Sequence, residues 1–167
     1  MPSNSKKTEV INLTEIIIII IIFSMTREEY KSIYEVVGAA QEVHKTLGRG
    51  LSEPIYQEAL AIEMNERKMD FEREKQLRLY YKDHLMEKVY YADFYYHGVV
   101  VELKAVEKIL SEHRSQLFNY MRISHMERGV LLNFCERSLR AERYLYNQAT
   151  DRFVLLTQDN YKKYVSE

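Results

Sequence analysis

Tyr90-Tyr91-Ala92-Asp93-Phe94-Tyr95-Tyr96-His97-Gly98-Val99-Val100-Val101-Glu102-Leu103-Lys104 is the stretch whose reading decides the fold. Two runs of aromatic and β-branched residues flank His97-Gly98, a two-residue turn of the kind that favours glycine, so the segment reads as a β-hairpin. With those two residues as the loop, Tyr96 faces Val99, Tyr95 faces Val100, Phe94 faces Val101 and Asp93 faces Glu102. Directly opposed residues have Cβ atoms roughly 4.5–5.5 Å apart, and like charges placed there destabilise a sheet. A divalent cation shared by the two carboxylates would compensate. Lys104, two residues beyond Glu102, projects to the same face. The alternation puts Phe94, Val101, Ala92 and Leu103 together on the other, apolar face. One face is then core, and the other carries two carboxylates and an amine, the layout of a metal-dependent hydrolytic site.

Outward from the hairpin, the pattern gives a helix, a second helix, three strands, a third helix and a fourth strand. Thr26 with Glu29 forms a capping box before an amphipathic stripe of Tyr30, Ile33, Tyr34, Val37, Ala40 and His44 that ends near Gly48. Ser52 caps a second helix running to about Lys68, with Pro54 tolerated in its first turn. Loose alternation from Phe71 to Tyr81 marks a strand, Lys82-Asp83-His84 a turn, Leu85–Tyr96 and Val99–Ala105 the next two strands. Ser111 reads as the cap of a third helix, Glu112 to Ser124, and Gly129–Phe134 as a buried strand parallel to a neighbour. Arg143–Tyr146 and Arg152–Leu156 fit strands or helix ends equally. A meander followed by a helical crossover predicts an α/β fold, a mixed β-sheet flanked by helices with core order α-α-β-β-β-α-β.

The whole chain bounds the function. Its 167 residues are enough for one domain with a core, and 46% hydrophobic with 29% charged residues is a globular composition. A net charge of −1 gives no global basic field, so contact with nucleic acid must come from a local surface. The single cysteine, Cys135, excludes an intramolecular disulfide, reads as inert filler and fits a reduced, cytoplasmic setting. The first 24 residues differ from the rest. The isoleucine run Ile16–Ile22 is too short for a membrane span of about 20 apolar residues, and Glu9 and Glu15 are misplaced for a signal peptide. Residues 1–24 are therefore expected to be a poorly structured or dispensable extension, with 25–167 as the single domain and no membrane association of that domain. There is no metal-spaced Cys/His cluster, no phosphate-cradling glycine loop and no nucleophilic Ser or Cys motif.

The element order, with Asp93 and then Glu102-Leu103-Lys104 on consecutive strands, resembles the PD-(D/E)xK nuclease superfamily and its restriction-endonuclease-like fold. Gly50-Leu51-Ser52-Glu53-Pro54-Ile55-Tyr56 matches the eponymous pattern of the GxxExxY family of that superfamily residue for residue, and Val101–Val106 and Gly129–Phe134 resemble its central motif and next strand. Ala92 stands where the superfamily pattern has proline. The resemblance implies that Asp93 and Glu102 bind Mg²⁺ (with Mn²⁺ as a substitute), that the carbonyl of Leu103 adds a ligand, and that Lys104 assists the attacking water. It implies that Glu53 on the first core helix completes the site. Gln116 and Tyr120 match a Gln-x-x-x-Tyr motif of the RecB-like branch and, one helical turn apart, would contact substrate phosphate. The implied activity is hydrolysis of nucleic acid, DNA before RNA. The readings from other classes are a nucleic-acid-binding accessory protein and a protein-interaction module with a vestigial site. A protein partner or a homodimer would supply the basic surface the chain lacks.

Overall fold

The computed structural model describes residues 23–166. The isoleucine run, and with it most of the expected N-terminal extension, lies outside the described residues. Helices α1 (Arg27–Leu47) and α2 (Glu53–Glu66) precede strands β1 (Phe71–Tyr81), β2 (His84–Tyr96) and β3 (Val99–Lys104). Helix α3 (Ser111–Ser124) then crosses to β4 (Arg128–Asn133), and β5 (Arg140–Asn147) and β6 (Arg152–Leu156) follow. The two segments that fitted strands or helix ends are thus both strands. The six strands lie in sequence order in one sheet, antiparallel throughout except for the parallel β3–β4 pair. This is the expected α/β architecture: a mixed sheet with α1 and α2 on one face and α3 on the other.

Local chemistry explains the boundaries. Thr26 Oγ1 accepts the Glu29 N–H at 3.2 Å and a Glu29 carboxylate oxygen accepts the Thr26 N–H at 2.8 Å, closing the capping box. The start of α3 departs from the pattern: Ser111 is its first residue, Leu110 takes the cap position, and the Leu110 N–H is satisfied by His113 Nδ1 at 3.0 Å. Helix α1 buries Ile33, Val36, Val37, Ala39, Ala40 and Val43, whereas Tyr34 is 60% exposed. The buried stripe is therefore rotated from the expected one, because an aromatic ring with a polar tip sits readily at the edge of a helix face. The turn residues His97 and Gly98 both have positive φ, 44° and 80°, as a primed two-residue hairpin loop requires.

Two apolar layers sandwich the sheet. Phe94, Val99, Val101, Leu103, Val130 and Leu132 pack beneath α1 and α2, while Ala92, Val100, Leu131 and Tyr144 pack with Leu117 and Met121 of α3. Ala92 and Phe94 share parity yet lie in different layers, which corrects the single apolar face expected for them. The same reversal occurs in β1, where Phe71 packs in the first layer and Leu77 in the second. The paired strands change faces together around Glu74, a non-glycine residue at φ 51°, and Asp93. Strict period-two alternation cannot foresee this switch. Near the two ends of the described segment, Met25 bridges Val165 and Phe23 meets Tyr164 edge-on, both apolar side chains being buried.

Candidate active site

The site forms at the carboxyl end of the parallel β3–β4 pair, where open α/β sheets place their ligands. The hairpin register is as expected for Tyr96–Val99, Tyr95–Val100 and Phe94–Val101. Backbone pairing of β2 with β3 stops there, so Asp93 and Glu102 are not a ladder pair. Instead the Leu103 N–H donates to Asp93 Oδ2 at 2.7 Å, and Gln57 Nε2 of α2 donates to Asp93 Oδ1 at 2.9 Å. The carboxylate thus replaces a ladder acceptor and is held from two sides.

Strand β3 is buried along its whole length. Glu102 is 2% and Lys104 8% exposed, and Lys104 Nζ lies 2.6 Å from Glu102 Oε1. Glu102 Oε2 is buried with no hydrogen-bond partner. An unmade bond on a buried charged group is costly, so this atom marks the point where the site is chemically incomplete. Burial, then the negative charge of Asp93, pushes the Glu102 carboxyl up to about 8, against the pull of Lys104. Burial also raises Asp93 despite its backbone hydrogen bond. Burial alone would lower Lys104, but the carboxylates of Glu102, Glu53 and Asp93 outweigh it and raise it.

Glu53, at the first turn of α2, brings Oε1 to 4.0 Å from Lys104 Nζ. Its carboxyl is raised by burial and by Asp93, and lowered by Lys104 and by the Ala105 N–H. The loop before it is fixed by Tyr56: its hydroxyl donates to the Gly48 carbonyl at 2.8 Å and accepts the Leu51 N–H at 3.2 Å, while its ring stacks on Phe134 at 4.6 Å. Gly50, at φ 100°, supplies the backbone conformation that lets the loop turn into α2. The residues of the Gly-x-x-Glu-x-x-Tyr pattern therefore bend the loop, present a carboxylate to Lys104, and bolt the loop to the core.

On α3, Gln116 Nε2 donates to the Tyr120 hydroxyl at 3.0 Å. Burial raises the Tyr120 hydroxyl and the charges of Glu102 and Asp93 raise it further, which places it within their field. Both residues line a cleft of about 1010 Å³ between α3 and the outer halves of β1 and β2. Tyr120 thus belongs both to this cleft and to the field of the carboxylates.

Of the six side chains expected in the site, Asp93, Glu102, Lys104 and Glu53 act on one another, the first three also act on Tyr120, and Gln116 joins them only through its bond to Tyr120. Two neighbours were not anticipated: Gln57, and Arg73, whose guanidinium donates to Gln57 Oε1 at 2.9 Å. Gln57 was detectable, because it follows Glu53 by four residues and so shares its helical face. Arg73 was not, since it comes from a strand that pairs with β2 only in the folded sheet.

Asp93, Glu102 and a gap at Glu102 Oε2 fit a small divalent cation, which takes one or two carboxylates and completes its shell with water. No group of three or more His, Cys, Asp or Glu side chains stands in ligating positions among the described residues, so water and substrate oxygens would have to supply the rest. Residues 30–144 match the family model of the PD-(D/E)XK nuclease superfamily. The chain belongs to this superfamily. Comparison with curated proteins gives no match, and comparison with solved structures gives none. Membership supports a nuclease-like function on nucleic acid and the dependence on a divalent metal usual in the superfamily. No helix among the described residues is long and apolar enough to cross a membrane.

Proposed function

We propose that this PD-(D/E)XK protein, of the GxxExxY type, hydrolyses phosphodiester bonds in nucleic acid with Mg²⁺, DNA being the preferred substrate. The observation that carries the reading is the buried, partnerless Glu102 Oε2 beside Asp93 and Lys104. Asp93 and Glu102 would hold the cation, with the Leu103 carbonyl as a further ligand. Such an ion, when bound, stabilises charge on the scissile phosphate and makes a bound water acidic near neutral pH. Lys104 presents its ammonium to the phosphate and orients the attacking water, and Glu53 keeps that ammonium aimed into the site. Gln116 and Tyr120 donate amide and hydroxyl hydrogens to non-bridging phosphate oxygens. Arg73 and Gln57 keep Asp93 in place.

The second reading is a nucleic-acid-binding or protein-interaction module with a weak site. It draws on the direct Lys104–Glu102 pair, in which one carboxylate oxygen is already used, and on the net charge of −1. Incubating the chain with single- and double-stranded DNA and RNA in Mg²⁺, Mn²⁺ or EDTA, beside Glu102→Ala, separates the two. The nuclease reading expects metal-dependent cleavage that the substitution abolishes. Equal silence of both proteins, with no metal binding by calorimetry, favours the module.

A further inference from the structure

The cleft beside α3 is not lined by the carboxylates. It is walled by α3 on one side and by the projecting β1–β2 arm on the other, with Arg78, Tyr80 and Tyr90 facing Ser115, Asn119 and Tyr120. The arm's register shifts between Arg78 and Tyr80, so β2 carries extra residues there. Such bulges twist a hairpin and re-aim its side chains. Four tyrosines lie on the outer arm: Tyr80 is 59%, Tyr81 64% and Tyr91 52% exposed, and Tyr90 sits with its ring 6.1 Å from that of Tyr120. Lys88 lies 5.8 Å over the Tyr90 ring and Lys82 5.6 Å over Tyr81. Among the described residues no ion pair to a carboxylate is made by Arg78, Lys82 or Lys88, the guanidinium of Arg78 bonding only the Gln76 side chain.

These features select between forms of nucleic acid. A duplex is held chiefly through many phosphate contacts on a basic surface, and this chain has a net charge of −1 and, among the described residues, three cations on the arm that pair with no carboxylate. An unpaired strand needs fewer cations, because its exposed bases stack on aromatic rings at roughly 1–3 kcal/mol each. Tyrosines with interspersed Lys and Arg are that kind of platform. The cleft also takes in Tyr120, whose hydroxyl lies within the field of Glu102 and Asp93.

We propose that the cleft between α3 and the β1–β2 arm binds an unpaired nucleic-acid strand, its bases stacked on Tyr80 and Tyr90 and its backbone met by Arg78, and feeds it to the carboxylate site. This inference rests on the nuclease reading and names the substrate form that reading leaves open. The test measures anisotropy of labelled oligo-dT and oligo-U of about 15 nucleotides, within the span of known single-strand sites, and of a duplex of equal length, against the full chain in EDTA. The single strands should bind more tightly than the duplex and with shallow salt dependence. They should also quench tyrosine fluorescence, which is readable because the chain has no tryptophan. Tyr80→Ala should weaken single-strand binding by about tenfold, one stacked base, while Tyr80→Phe retains it. Circular dichroism confirms the fold of both variants. Tighter duplex binding, or single-strand affinity unchanged in Tyr80→Ala, overturns the inference. If duplex cleavage in Mg²⁺ is then still abolished by Glu102→Ala, the nuclease reading stands without it. If no nucleic acid is bound or cut in any form, both fall.

Discussion

Asp93 Oδ2 accepts the backbone N–H of Leu103 at 2.7 Å, just where the β2–β3 ladder stops at Phe94–Val101. A side chain thus takes over the acceptor role of a strand, and the β3 residue between Glu102 and Lys104 is tied to Asp93 of β2. The position of Asp93 relative to Glu102 is consequently set by a hydrogen bond to the backbone and by Gln57, and not by cross-strand pairing alone.

Glu102→Gln should separate the cost of the site from its use. It keeps the shape and an acceptor for Lys104 but removes the buried charge next to Asp93. Without metal, the variant should be more stable than the parent at pH 8.5, where the parent's buried carboxyl must ionise. Mg²⁺ should raise the melting temperature of the parent and leave the variant unmoved, since only a ligand that binds the native state stabilises it. Thermal melts with and without Mg²⁺ give both results.

The same group sets the metal-free pH dependence. The Glu102 carboxyl lies at about 8 against an ordinary value of 4.5, so the folded protein keeps a proton that the unfolded chain has lost. Stability from this group is full below pH 4.5 and falls as pH rises through about 8. Asp93 and Glu53, also raised, act with the same sign. Urea titrations in EDTA between pH 5 and 9 should show the decline, and Glu102→Gln should flatten it.

An opposite slope is expected in acid from Glu142. This buried carboxylate receives Arg114 Nε and Nη2, both at 2.7 Å, Arg140 Nη2 at 2.8 Å and the Tyr144 hydroxyl at 2.7 Å. Burial opposes its ionisation, but these donors outweigh it and hold the carboxyl at about 2. Its contribution is present above pH 4.5 and is lost as pH falls through about 2. Because both arginines are partly open to solvent, the loss should be on the order of 1–2 kcal/mol. Glu142→Gln should remove this acid-side slope in denaturant melts between pH 2 and 5.

Gln57→Ala leaves Asp93 Oδ1 and the Arg73 guanidinium without their shared partner. Loss of a hydrogen bond to a charged group costs roughly 1.5–3 kcal/mol. The expected result is a drop in cleavage rate of about tenfold or more, with a fall in Mg²⁺ affinity measured by calorimetry and little change in circular dichroism. Unchanged rate and affinity would show that the Leu103 N–H suffices to orient Asp93.

Tyr56→Phe tests the loop that carries Glu53. It keeps the stack on Phe134 but deletes the hydroxyl shared by the Gly48 carbonyl and the Leu51 N–H. The cost should be about 1–3 kcal/mol in chemical denaturation, mostly from the unsatisfied backbone groups.

Much of this was legible from local pattern. The hairpin register from Tyr96–Val99 to Phe94–Val101, the ends of β1 and the parallel β4 follow from period-two alternation and turn chemistry, whereas the expected Asp93–Glu102 pair does not form. What was missed depends on contacts and conformations that no local pattern shows. The exchange of faces around Asp93 depends on Glu74 adopting a left-handed conformation that a non-glycine residue rarely takes, and nothing in its neighbours signals it. The rotated stripe of α1 likewise depends on what the sheet offers it, because Tyr34 is apolar enough for either side of the helix edge.

The sequence by itself determined which residues are dangerous to bury: Asp93, Glu102 and Lys104 in a run of valines and aromatics require partners, and that requirement is readable from composition along one strand. Only the tertiary structure decided who the partners are. Gln57, from a helix before the sheet, and the Leu103 N–H take Asp93, and Glu53 of the same helix comes to 4.0 Å from Lys104. Hydrogen-bond reach is about 3 Å, and which distant residues fall within it is set by how helices and strands pack, which no local period encodes.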